Sequence, residues 1–162
     1  MAIVVGTDTY LSIADADTYW SKRNNATWSG ADAADKEKAL IEATQYVDGA
    51  FNFIGTQKTD NVLAWPRFDV YIRKGNFAGV SYDSDTIPPQ IENAVAELAL
   101  QALSARLIAV KDRGGAVKRE KVDVLEIEYL DHAPTGKTYT FASMLLKPLL
   151  ISTGNMKGLV RS

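Results

Sequence analysis

One segment limits what this chain can fold into more than any other. Residues Pro89 to Val110 read PQIENAVAELALQALSARLIAV, apolar on almost every side of a helical wheel. Pro89 suits a first helical turn, because the N–H it lacks is one that a helix start leaves unpaired anyway. Gln90, Asn93, Glu97, Gln101 and Ser104 fall on one narrow polar stripe at spacings of three and four. A helix this apolar is either a core helix or one packed on two sides. In a chain of 162 residues, its second neighbour is another helix of the same bundle or a second copy of the chain, and both readings stay open. Glu92, Glu97 and Arg106 interrupt the run, which a bilayer span would avoid.

A chain of this length makes one domain and buries about two-thirds of its unfolded surface. The net charge of −2 argues against a general nucleic-acid coat, which is usually strongly basic. With no cysteine, disulfides and thiolate metal sites are excluded, and a reducing cytosol is the natural compartment. The opening MAIVVGTDTYLS has no basic segment ahead of its short apolar run, so no signal peptide is expected.

The helical punctuation predicts a mainly α domain. Ser12, with Asp15 three residues on, is close to a capping box and starts a helix from about Ile13 to Arg23 that buries Ile13, Ala16 and Trp20. Asn24 and Asn25 end it, and Asp32 or Asp35 caps a second helix reaching Phe51 or Phe53. There Leu40, Ala43, Val47 and Ala50 form the core-facing stripe. Trp28 is read as a plug between these helices. Gly55 to Thr86 is a long loop with strand hints and too many aromatics for disorder. Trp65-Pro66 extends the backbone at the tryptophan and pins it into the core, Arg67 beside it can stack or pair, and Gly75, Gly79, Asp83 and Asp85 make a free tip. Ser143 caps a short helix from Met144 to Leu150.

A hairpin is expected within residues 116–130. If its turn is centred on Asp123-Val124, Lys121 faces Glu126, Arg119 faces Glu128, Val122 faces Leu125 and Glu120 faces Ile127. The two opposite-charge pairs would each contribute about 0.2–1 kcal/mol. The fold read from the sequence is thus a small helical bundle with a long central alanine-rich helix and one β-hairpin over residues 1–151. A flexible, extended tail follows at 152–162.

Catalytic chemistry finds little footing. Pro134-Thr135-Gly136-Lys137-Thr138 imitates the end of a phosphate-binding loop, but the position of its first glycine is Asp131, and no helix pattern follows. His132 is the sole histidine and reads as a surface-loop residue with no catalytic partner. The scattered aspartates lack the spacing of a twelve-residue calcium loop. No enzyme activity, cofactor or metal is expected. Between Lys111 and Lys121 lie five basic and two acidic residues, which could track a phosphate backbone, but Glu126 and Glu128 across the hairpin neutralise them.

Four blocks in order carry a family resemblance. They are Tyr10-Leu11-Ser12-Ile13-Ala14-Asp15-Ala16-Asp17 with Tyr19, Trp28 and the run Lys36 to Asp48; Leu63-Ala64-Trp65-Pro66-Arg67; Ile87-Pro88-Pro89-Gln90-Ile91 leading into Ala96 to Ala99; and Val117 to Val122 with Glu126 to Tyr129. Together they resemble a family of small tailed-bacteriophage proteins encoded among the head genes. Its labels include DnaT-like single-stranded DNA-binding protein and head–tail adaptor, or head-completion, protein.

The resemblance implies a structural adaptor in the virion neck, assembled in the host cytoplasm. Such a homo-oligomer would be a twelve-membered ring under the portal protein, passing genomic DNA without specific recognition and carrying a tail or stopper. A ring needs two different sticky surfaces per subunit. Under this reading Lys118, Arg119, Lys121, Glu126 and Glu128 serve a neighbour or the channel, while Met156, Leu159, Val160 and Arg161 contact the portal or a neighbour. The alternative is a single-stranded DNA-binding protein, which requires a basic groove with aromatic stacking platforms. The aromatics gather at Trp65, Phe68 and Tyr71, whereas the basic cluster lies at 111–121.

Overall fold

Helix α1 (Ile13–Ser21) begins where the sequence places it. The Ser12 Oγ accepts the Asp15 N–H at 3.1 Å and its hydroxyl donates to Asp15 Oδ2 at 2.5 Å. Ala16 and Trp20 are buried and Ile13 half-buried. This computed structural model describes residues 3–72, 80–107, 119–122, 125–128 and 139–151. Lys118, His132, the run Pro134–Thr138 and the tail residues Met156, Leu159, Val160 and Arg161 lie outside the described residues.

Helix α1 stops two residues before the expected Arg23, and Asn24 takes a positive φ of 49°. Asn25 then does something the sequence reading missed. Its side chain accepts the Trp28 N–H at 3.0 Å and caps a one-turn helix, α2 (Ala26–Ser29). Asn–Asn is therefore a stop for one helix and a start for the next. Trp28 is the plug expected of it, buried with its Nε1–H donating to Asp17 Oδ1 at 2.7 Å; Lys36 Nζ donates to the same oxygen at 2.8 Å. Helix α3 (Ala33–Ala50) buries Leu40, Ala43 and Val47 of its predicted stripe but leaves Ala50 exposed.

Four strands of two residues each follow α3: β1 (Thr56–Gln57), β2 (Arg67–Phe68), β3 (Tyr71–Ile72) and β4 (Val80–Ser81). Helix α4 (Pro89–Ser104) is the alanine-rich segment, ending six residues before Val110 where Ala105 turns extended. Ile91, Ala94, Val95, Ala96, Leu98 and Ala99 are buried, and the polar stripe is the half-buried to exposed side. Both α3 and the last helix, α5 (Thr140–Leu146), pack on α4. Leu100, Ala102 and Leu103 of α4 are half-buried.

Helix α5 begins earlier than read. Ser143 lies inside it and donates to the Tyr139 carbonyl at 3.0 Å, and after Leu146 the helix gives way to a 3-10 turn at Lys147–Leu149 that contains Pro148. Burial of Ala142, Leu146 and Leu149 overrides the strand preference of Thr140 and Phe141. The backbone then pairs with the segment after α3, Ile54 N–H to the Leu149 carbonyl and Ile151 N–H to that of Asn52, each at 2.9 Å.

The chain divides into two units, Met1–Leu107 with Tyr139–Ser162, and Ile108–Thr138. The second carries the antiparallel pair β5 (Arg119–Val122) and β6 (Leu125–Glu128). Its register is Arg119 opposite Glu128, Glu120 opposite Ile127, Lys121 opposite Glu126 and Val122 opposite Leu125, the pairing read from the sequence. The architecture is mainly α with this small hairpin. All three tryptophans, Trp20, Trp28 and Trp65, are buried. Among the described residues, no helix is long and apolar enough to cross a membrane.

Candidate functional site

The segment between α3 and α4 is held from inside by one acidic residue. On α3, Asp48 accepts the Tyr10 hydroxyl at 2.5 Å and the Ala64 N–H at 3.0 Å, while Tyr10 Oη in turn accepts the Trp65 N–H at 3.0 Å. Burial pushes the Tyr10 hydroxyl well above the usual tyrosine range, and Asp48 as its acceptor pushes the same way. Burial also raises Asp48 itself, against the lowering pull of those hydrogen bonds and of Arg67. Trp65 is 0% exposed, with its ring edge-on to Phe53 at 5.5 Å between centroids.

Among the described residues, Arg67 neither stacks on a ring nor pairs with an acid at hydrogen-bond distance. Its guanidinium collects four backbone carbonyls, those of Ile54 (2.9 Å), Gly55 (2.8 Å), Ala64 (3.3 Å) and Phe53 (3.4 Å). A planar fork suits such a task, and it leaves this cation little to offer a ligand. Gly55 has a φ of +77°, and a Cβ there would collide with the Phe68 carbonyl and the Val70 side chain. The close approach lets β1 pair with β2, Thr56 opposite Phe68 and Gln57 opposite Arg67.

Immediately after Arg67 the character reverses. Phe68 is 45% exposed and Tyr71 62% exposed, on either side of buried Val70 and of Asp69 with its positive φ of 56°. The β3–β4 pairing sets Tyr71 opposite Ser81 and Ile72 opposite Val80. Lys58, just beyond β1, brings its Nζ within 5.0 Å of the Phe68 ring centroid and forms an ion pair with Asp85. That partnership holds the Asp85 carboxyl below the usual carboxylate range. An exposed aromatic face beside a cation is the combination that can stack a base and meet a phosphate.

Other concave surfaces are less suited to an anion. Between α1 and α4, Arg23 lies 3.5 Å over the Tyr19 ring and approaches Glu97 at 4.0 Å. The Tyr19 hydroxyl donates to Glu97 at 2.6 Å, and Asp15 and Glu92 line the same cleft. Burial, with Asp15 nearby, raises the Glu92 carboxyl. At the α1–α2 corner, Lys36 is spent on Asp17 and both tryptophan rings are buried. Among the described residues, no group of acids or histidine is arranged to hold a metal ion.

Of the site residues expected from sequence, Arg119, Lys121, Glu126 and Glu128 share one hairpin and face each other across its register. Lys118 and the tail residues lie outside the described residues. Lys58 was missed altogether. It stands ten positions before Phe68 and is brought to it only by the β1–β2 register, for which two-residue strands leave no periodic signal.

Residues 2–162 match a protein family described as "Putative DnaT-like ssDNA binding protein". The chain belongs to this family. No curated protein and no solved structure matches it. Membership corrects the adaptor reading: the family's description is of single-stranded DNA binding, and nothing in it supports a virion connector, a portal-binding part or a ring under the portal with a tail or stopper below. The four blocks behind that reading are fold-building. Ser12 caps α1, Asp48 and Tyr10 clamp Trp65, Pro89 starts α4, and the hairpin residues set a register. Such residues specify a fold and are silent on what docks against it.

Proposed function

We propose that this protein binds single-stranded DNA without catalysing a reaction on it, using the surface around Phe68, Tyr71 and Lys58. The observation that carries the reading is the family match, which spans residues 2–162. The site is chosen by physical elimination. Stacking needs exposed rings; Trp20, Trp28 and Trp65 are buried, Phe68, Tyr71 and Phe141 are exposed, and among the described residues Phe68 is the one of these three with a cation over its ring. The hairpin has cations, but its register places Arg119 and Lys121 opposite Glu128 and Glu126, which favours charge pairing within the hairpin over a grip on phosphate. A net charge of −2 fits modest, stacking-led affinity better than a phosphate-led grip.

Fluorescence anisotropy with a labelled oligothymidylate, against a duplex of equal length, tests this. The single strand should bind at low salt and the duplex weakly. Replacing Phe68 and Tyr71 together by alanine should weaken binding about tenfold or more, given roughly 1–3 kcal/mol per stacked base. Charge reversal at Arg119 and Lys121 is the counter-test: a loss of affinity there, with none at Phe68 and Tyr71, moves the interface to the hairpin. Equal affinity for duplex and single strand overturns the reading.

A further inference from the structure

The ion pair beside Phe68 is unequal. The Lys58 side chain is only 17% exposed, while that of Asp85 is 81% exposed. The cation is thus the fixed member, set against the Phe68 ring, and the carboxylate is the member that reaches it from solvent. Asp85 comes from a different stretch of the chain. Its own N–H is held by Asp83 Oδ1 at 2.9 Å, in a short turn that presents its carboxylate to Lys58. A carboxylate oxygen on the ammonium, with an aromatic ring alongside, reproduces two contacts of a bound nucleotide: phosphate oxygen on a cation and base on a ring.

We propose that Lys58 is a phosphate seat occupied in the free protein by the Asp85 carboxylate, so that a DNA strand enters by displacing an internal anion. This rests on the single-stranded DNA-binding reading above. A phosphodiester carries the same single negative charge as Asp85, so the exchange leaves Lys58 neutralised before and after. With its Asp85 end 81% exposed, the pair is screened by solvent as surface pairs are, which makes Asp85 displaceable. The ring contact keeps the ammonium in place when the carboxylate leaves. Phosphate on Lys58 and base on Phe68 then define a subsite one nucleotide long. Asp85 sets its threshold, because stray anions must also compete with a tethered one.

The test is oligothymidylate anisotropy on the full chain. Asp85→Asn should tighten binding about two- to fivefold, the value of releasing an exposed ion pair. Asp60→Asn removes the same charge from an exposed position elsewhere in the loop and should change affinity by less than that. In a Lys58→Gln background the Asp85→Asn gain should vanish. In Lys58→Arg, which keeps the charge if Lys58→Gln folds poorly, it should persist. Equal gains from Asp85→Asn and Asp60→Asn, or a gain that survives Lys58→Gln, overturn the proposal while leaving single-stranded DNA binding intact. If no variant and not the wild type binds the oligonucleotide at low salt, the functional reading falls and this inference with it.

Discussion

Two halves of one loop, three residues apart, treat the same kinds of side chain in opposite ways. In the inner half, Trp65 is sealed against Phe53 and Arg67 is consumed by four carbonyls. In the outer half, Phe68 and Tyr71 stand in solvent and Lys58 meets a single exposed acid. Each half holds aromatics and a cation. The difference lies in what the backbone asks of them. Arg67 satisfies carbonyls that the turn after α3 would otherwise leave unpaired, and burying such groups unpaired is costly, while Trp65 fills the space against Phe53. Phe68 and Tyr71 satisfy nothing internal. Aromatic content alone does not distinguish a core from a binding surface; the fate of the neighbouring carbonyls does.

The sharpest way to break this contrast is at its inner end. Trp65→Ala should cost about 3–5 kcal/mol in urea unfolding, and a loss under about 1 kcal/mol would show that the inner half is no anchor. Arg67→Lys comes next, at about 2 kcal/mol, because an ammonium cannot span four carbonyls with the geometry of a planar fork. A silent Arg67→Lys would erase the distinction between the two cations. In the outer half, Phe68→Ala and Tyr71→Ala should each shift stability by about 1 kcal/mol or less, even where they abolish binding. A large loss of stability at Tyr71 would move it to the inner class.

The smallest effect expected is a slope against pH. Burial raises the Asp48 carboxyl, so the native state holds this proton more tightly than the unfolded chain does. The stability it contributes is full below the ordinary carboxylate pKa and is lost as pH rises through the raised native value. Asp48→Asn should remove that slope from urea midpoints measured across the acid range. Removal of a slope of the opposite sign would mean that the Tyr10 and Ala64 hydrogen bonds outweigh burial.

Local rules carried much of the fold. Ser12 and Asp15 announced α1, the Leu40–Val47 stripe announced α3, and opposite charges at matched distances announced the hairpin register. These features need only near neighbours. Failures came where a residue's role depends on something remote. Asn25 is the exception: its cap reaches only three residues, but a one-turn helix leaves no periodic apolar pattern to announce it. The start of α5 is decided by the apolar face it buries against α4, which makes α5 the second neighbour of α4 within the chain. The candidate site was half legible. Phe68 and Tyr71 stand out as aromatics, but nothing local separates them from Trp65. The approach of Lys58 to Phe68 rests on a ribbon two residues long.

The staple at Arg67 also bears on proteolysis. A loop arginine is ordinarily an inviting target for trypsin, which must draw the side chain into its own pocket and straighten the backbone around it. Here the guanidinium is already engaged by four carbonyls, and the bond that follows it lies within β2. Cleavage between Arg67 and Phe68 therefore has to wait for the inner half of the loop to open. Its rate at low protease reports the free energy of that opening, a local clock inside the native protein that runs apart from global unfolding.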